Sequence, residues 1–152
     1  MLPEVSARGC RRPVLALAVL ALGSLPLSGA PQDGPKQFRS PSGNIGCIAY
    51  GPGPSMDEHQ LRCDLSKYSP VWTDPPEDCD LDWGGVLFLG DEGAALRGCV
   101  GDVGATPDAP VLPYGQTFRA GKMLCKMERS GLTCINATGH GFFMSYATQR
   151  LF

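Results

Sequence analysis

The residue best suited to chemistry is His140, which stands between Gly139 and Gly141. Flanking glycines let backbone approach a ligand closely, and a neutral imidazole serves as a general base near pH 7. Such a base needs a carboxylate to orient it and a hydroxyl to activate. Asp80, Asp82 and Asp102 are the candidate orienters, and Ser42, Ser130 and Ser145 the candidate nucleophiles. Together they would make a small hydrolase. No G-x-S-x-G elbow and no zinc-protease motif accompanies the histidine. The plainer alternative is a turn made by the two glycines, with the imidazole bonded to backbone.

A second candidate is Asp78-Cys79-Asp80-Leu81-Asp82, which begins like a calcium loop. In that register Trp83 replaces the required glycine and Leu89 the bidentate glutamate, so the helix-loop-helix calcium motif fails. A calcium site of another kind would use Asp78, Asp80 and Asp82; a solvated acidic face is the alternative. Asp80 and Asp82 would form a glycosidase pair only if both faced one cleft. His59 stands in a polar loop and is expected to be exposed. Trp72, Trp83, Tyr50, Tyr68 and Tyr114 could line a binding surface, but aromatic side chains of a small β domain more often fill its core.

Positioning any of these depends on the cysteines. Of seven, Cys10 precedes the apolar run Val14 to Leu22 and would leave with a signal peptide. Six remain: Cys47, Cys63, Cys79, Cys99, Cys125 and Cys134. An even number in an exported chain of this size implies three disulfides. No C-x-x-C pair occurs, and His59 and His140 are far apart, which disfavours both a zinc site and a thioredoxin-like redox role.

Export is indicated by Arg8, Arg11 and Arg12 ahead of the apolar run, and by Ser28-Gly29-Ala30 as a cleavage pattern, giving a signal peptide over 1–30. Arg11-Arg12 leaves a twin-arginine route open, and Pro31 is an awkward residue after a scissile bond. The run is well below the ~20 residues of a membrane-spanning helix. Residues 31–37 read as a disordered lead-in, and 38–152 as one secreted domain. Removing 1–30 takes three of 13 basic and one of 15 acidic side chains, leaving 10 and 14 and a net charge of −4. Such a chain is a poor candidate for nucleic acid, and membrane contact would require a retained signal peptide.

Gly 20 and Pro 14 interrupt every segment, and no stretch beyond the signal holds helical periodicity. Strands are expected at Ile45 to Tyr50, Leu61 to Leu65, Trp83 to Leu89, Ala94 to Val100, Val111 to Phe118 (a broken edge strand) and Phe142 to Tyr146. Leu61 to Leu65 alternates apolar and charged residues, as a half-buried strand does. Trp72 should pack the proline-rich 69–78 segment onto the core. Neighbouring strands suggest Cys47–Cys63, and Cys79–Cys99 across the ends of the next hairpin. For the third pair, a two-residue turn at Arg129-Ser130 makes Glu128 face Gly131 and Cys125 face Cys134, on a non-hydrogen-bonded pair with Cα atoms ~4.5 Å apart. A bulge with Gly131 in the left-handed region would shift this register by one and point the sulfurs apart. The expectation is an all-β domain, a disulfide-stabilised sandwich or barrel of short antiparallel strands.

The segments FRSPSGNIGC (Phe38 to Cys47), RCD (Arg62 to Asp64), DWG (Asp82 to Gly84), GCVGD (Gly98 to Asp102), LPYG (Leu112 to Gly115) and GLTC-x-N-x-x-GHGF (Gly131 to Phe142) together resemble a family of small secreted actinobacterial proteins, a domain of unknown function. The resemblance covers roughly the whole mature domain. It implies a signal peptide and paired cysteines, and it brings no substrate or catalytic residue. Tyr146-Ala147 departs from it, standing where a basic residue follows the serine. In a bacterial protein the glycosylation sequon Asn136-Ala137-Thr138 is expected to be idle. The leading expectation is an exported, non-catalytic binding or structural module at the cell envelope or outside it. It has no cofactor, and its partner is an envelope component or another secreted protein. The alternatives are the His140 hydrolase and a secreted inhibitor presenting a loop braced by Cys47–Cys63.

Overall fold

The computed structural model describes residues 36–54, 56–69, 72–102, 104–105 and 107–152. The signal peptide expected over 1–30, Cys10 and residues 31–35 lie outside these. Ten strands run in order: β1 (Lys36–Arg39), β2 (Ile45–Tyr50), β3 (Gln60–Leu65), β4 (Asp82–Gly90), β5 (Leu96–Val100), β6 (Thr117–Ala120), β7 (Met123–Glu128), β8 (Gly131–Ile135), β9 (Gly141–Met144) and β10 (Gln149–Leu151). β1 to β5 form one antiparallel meander and β6 to β10 another. A single core draws on both sheets, which resolves sandwich against barrel in favour of the sandwich.

Two rows of side chains define that core. In the first sheet Phe38, Cys47, Cys63 and Leu87 lie side by side across β1 to β4. In the second, Phe118, Cys125, Cys134 and Phe142 lie across β6 to β9. The rings of Phe38 and Phe118 meet with centroids 4.5 Å apart. The structure holds Cys47–Cys63, Cys79–Cys99 and Cys125–Cys134. The first and third are cross-strand bridges buried in the core, with Cα atoms 4.1 and 4.0 Å apart. That separation marks non-hydrogen-bonded pairs, the ladder position expected for Cys125 and Cys134.

The β7–β8 register is the two-residue-turn one: Glu128 faces Gly131 and Lys126 faces Thr133. Gly131 has φ 148°, away from the left-handed helical values the bulge would need. A Cβ there would lie 2.4 Å from the Met144 carbonyl oxygen and 2.8 Å from the Phe143 ring. Gly131→Ala is therefore expected to lower stability by about 3 kcal/mol, read as a reduced urea midpoint with unchanged slope.

Four boundaries differ from the sequence reading by two residues or more. β1 begins at Lys36, so Lys36 and Gln37, taken for lead-in, are strand. The Ala94 to Val100 strand starts at Leu96. Val111 to Phe118 is not one strand, because Pro113 to Gln116 closes a turn through Gln116 N–H to the Pro113 carbonyl at 3.1 Å. Val111 makes a parallel bridge to Arg39 at the edge of the first sheet, and Thr117–Ala120 becomes the edge of the second. Phe142 to Tyr146 ends early, at Met144. Ser145 and Thr148 then exchange backbone and hydroxyl bonds in a tight turn into β10.

Candidate functional site

A meander sends alternate turns to opposite ends, and the two sheets agree on which is which. At one pole lie the β2–β3 loop, the β4–β5 turn, the β6–β7 turn and the β8–β9 turn. At the other lie the β1–β2, β7–β8 and β9–β10 turns and the start of the β3–β4 connection. His140 is at the first pole. Ser42, Ser130 and Ser145 are at the second.

This separates the hydrolase candidates. β8, five residues long, stands between Ser130 and His140, or about 16 Å of strand. Asp82 pairs with Val100 at the end of the first sheet away from Gly90, so Asp80, Asp82 and Asp102 are also remote from His140. Among the described residues the exposed His140 imidazole hydrogen-bonds only the Thr138 hydroxyl, Nδ1 to Oγ1 at 3.1 Å. Asp102 instead accepts from Arg62 Nη1 at 3.0 Å. Asp82 lines a cavity of about 490 Å³ with Asp64 and Asp102, and Asp80 does not, so the pair does not share that cleft. Asp78, Asp80 and Asp82 are exposed, and no group of three metal-ligating side chains forms among the described residues. The Cys47–Cys63 bridge lies three ladder pairs inside the base of the β2–β3 loop, so it braces the core and not the loop.

The histidine pole is a structural hub. Asp91, buried in the β4–β5 turn, accepts from the Lys122 backbone N–H at 2.6 Å, from the His59 backbone N–H at 3.2 Å, and bonds His59 Nδ1 at 3.0 Å. His59 is thus half-buried and bonded, contrary to the exposed state expected of it. Gly121 permits the approach: a Cβ there would sit 2.3 Å from Asp91 Oδ1. Beside it, buried Asn136 donates from Nδ2 to the Gly90 carbonyl at 3.2 Å and the Gly93 carbonyl at 2.8 Å. Its Oδ1 accepts from Thr138 N–H, Thr138 Oγ1 and His140 N–H. The sequon asparagine is therefore committed to holding turns together.

Burial alone would raise the Asp91 carboxyl, but the bonds from Lys122 and His59 outweigh it and hold the group below its ordinary 3.8. The unfolded chain then takes up the proton first as pH falls. The stabilisation is complete above pH 3.8 and is lost as pH drops through the lower folded value. Urea midpoints between pH 6 and pH 2 should fall on the acid side. Asp91→Asn should be less stable at pH 6 and lack that portion of the decline.

The serine pole is concave. A cavity of about 460 Å³ is bounded by Ser40, Ser42, Asn44, Lys67, Tyr114, Glu128, Arg129, Ser130, Ser145 and Tyr146. Most of its polar groups build its walls. Ser40 Oγ accepts from the Ile45 N–H and contacts Ser42 Oγ, each at 3.0 Å. Asn44 clamps Lys67 through two 2.9 Å backbone bonds. Glu128 is paired with Lys126 at 2.8 Å. Among the described residues, Lys67 Nζ, Ser130 Oγ and the Tyr146 hydroxyl have no hydrogen-bond partner, nor do the Tyr114 hydroxyl and the Arg129 guanidinium. Arg129 lies over the Tyr114 ring at 5.0 Å, and Tyr146 is 59% exposed. The serines were visible in the sequence only one by one. Their common feature, a place in alternate turns of a meander, is the signal that would have joined them.

Residues 16–152 match the model of a family described as a family of unknown function, DUF6636. The chain belongs to the DUF6636 family. No curated protein and no solved structure matches it. In this DUF6636 chain the motifs SPSGN, LPYG and GLTC, far apart in sequence, each place residues at the serine-pole cavity: Ser40, Ser42 and Asn44, then Tyr114, then Gly131. Tyr146 and Ala147, the point of departure from the resemblance, line the same cavity.

Proposed function

We propose that this protein is an exported, non-catalytic binding module whose site is the serine-pole cavity. The observation that carries the reading is the division of labour among the cavity's polar groups. Backbone-bonded serines and Asn44 fix its shape, while Lys67, Ser130 and Tyr146 present unspent groups to solvent. A site preorganised in this way binds at reduced entropic cost. Three disulfides suit an oxidising compartment, which supports export to the envelope or beyond it, with the actinobacterial setting the resemblance implies. Among the described residues the cavity is lined by no histidine, and its carboxylate, Glu128, is paired with Lys126, so no histidine–carboxylate pair stands beside Ser130.

Sedimentation of the oxidised protein with isolated cell-envelope fractions tests this. The native chain and His140→Ala should sediment with the envelope, and Tyr146→Ala should be released at least tenfold more readily. Release by His140→Ala with retention of Tyr146→Ala would place binding at the other pole and sink the proposal.

A further inference from the structure

Resting on that reading, we infer that the serine-pole cavity takes an anionic saccharide: a sugar ring laid against Tyr146, with a carboxylate or phosphate met by Lys67 and Arg129. Three observations combine.

The first is charge. The chain is acidic overall, at −2, yet among the described residues lining the cavity the one carboxylate, Glu128, is paired with Lys126, and the Lys67 ammonium and Arg129 guanidinium are the charges without an ionic partner. Arg129 is already seated on the Tyr114 ring, so part of the entropy of orienting its fork is spent before a ligand arrives. A planar fork and an ammonium are suited to a carboxylate or phosphate.

The second is the exposed aromatic. Tyr146 leaves most of its ring in water although its backbone is fixed, its carbonyl accepting from the Ser69 N–H at 2.7 Å. An exposed amphipathic ring on an anchored backbone beside the cavity offers a flat apolar face with a polar rim. A pyranose has the complementary form, one C–H face ringed by hydroxyls. A free phosphate or a lone carboxylate would use the cations and leave this face empty.

The third is the hydroxyl set and the size. Ser130 Oγ is unspent and can donate to or accept from a sugar hydroxyl. The volume of about 460 Å³ is that of a small-ligand site.

Titration of the oxidised full chain, followed by amide shifts and calorimetry, tests the assignment with five probes: trigalacturonate, glucose 6-phosphate, maltotriose, inorganic phosphate and a dinucleotide. At least one sugar acid should shift the amides of Lys67, Ser130 and Tyr146 and bind at least tenfold tighter than maltotriose or phosphate. Whichever acid is preferred assigns the natural source to a uronate or a phosphosugar polymer. Tyr146→Ala and Lys67→Gln should each weaken that binding about tenfold. Neither side chain end has a hydrogen-bond partner among the described residues, and His140→Ala should bind as the native chain does. Equal binding of maltotriose, equal binding of phosphate, tighter binding of the dinucleotide, or shifts confined to other residues would overturn the assignment. Envelope retention that depends on Tyr146 while neither acid binds would overturn the saccharide class and leave the binding module standing. Loss of both would overturn both.

Discussion

Replacing Asp64 by alanine is expected to destabilise the protein by about 3 kcal/mol, because it strands a buried guanidinium. Arg62 and Asp64 share the outer face of β3, and both are buried, at 7% and 8% exposed. Asp64 takes Arg62 through Nη2 to Oδ1 at 2.7 Å and through Nε at 3.1 Å. Asp102 completes the triad from the segment after β5, with its carboxylate and its backbone carbonyl both accepting from Arg62. That segment packs down so closely that a Cβ on Gly104 would lie 2.5 Å from Asp64 Oδ2. Burial by itself would lower the Arg62 pKa, but the bonds to Asp64 and Asp102 outweigh it and raise it. Asp102, 78% exposed at its side chain, compensates only part of what Asp64 supplies. The paired change Arg62→Met with Asp64→Leu should cost less than Asp64→Ala alone, since it removes both charges together. Equilibrium unfolding of the two variants decides this. Asp64→Ala within about 0.5 kcal/mol of the native chain would show that the triad adds nothing.

Asn136→Ala should cost a similar amount, about 3 kcal/mol, for a different reason. No charge is involved. Five hydrogen bonds through one side chain join the β4–β5 turn to the β8–β9 turn, and removing it leaves the Gly90 and Gly93 carbonyls short of a donor. In a domain of this size that corresponds to a fall in Tm of roughly 12 °C. Asn136→Asp should lose nearly as much, because it keeps the acceptor for Thr138 and His140 but sets a carboxylate against two carbonyl oxygens. Hydrogen exchange offers a finer readout. Protection of the Thr138 and His140 amides should collapse in Asn136→Ala and largely survive in Asn136→Asp, while the β2–β3 ladder keeps its own in both.

The contrast between these sites and the sequence reading is instructive. The Cys125–Cys134 hairpin was legible because a disulfide requires two residues to face one another, and only one turn length allows it. Arg62 and Asp64 alternate with apolar neighbours, which reads as a half-buried strand with its charges in water. Nothing local reveals that a segment forty residues later covers them. His59 and Asp91 are likewise 32 residues apart, and a histidine in a polar loop gives no hint of a partner. β10 escaped because Gln149–Leu151 is three residues with no apolar alternation to mark it. The serines of the cavity were chosen for hydroxyl chemistry, and they proved to be the turn residues that shape it.

The two rows of core side chains have a consequence for how the domain is assembled. Phe38 on the first strand of its sheet, Cys47 on the second, Cys63 on the third and Leu87 on the fourth correspond in order to Phe118, Cys125, Cys134 and Phe142. An arginine follows the phenylalanine both times, at Arg39 and Arg119. Two five-strand meanders with the same order of core residues thus close their bridged apolar faces against each other. The core is therefore an interface between two sheets of like design, and a substitution in either row is felt by the bridge of the other.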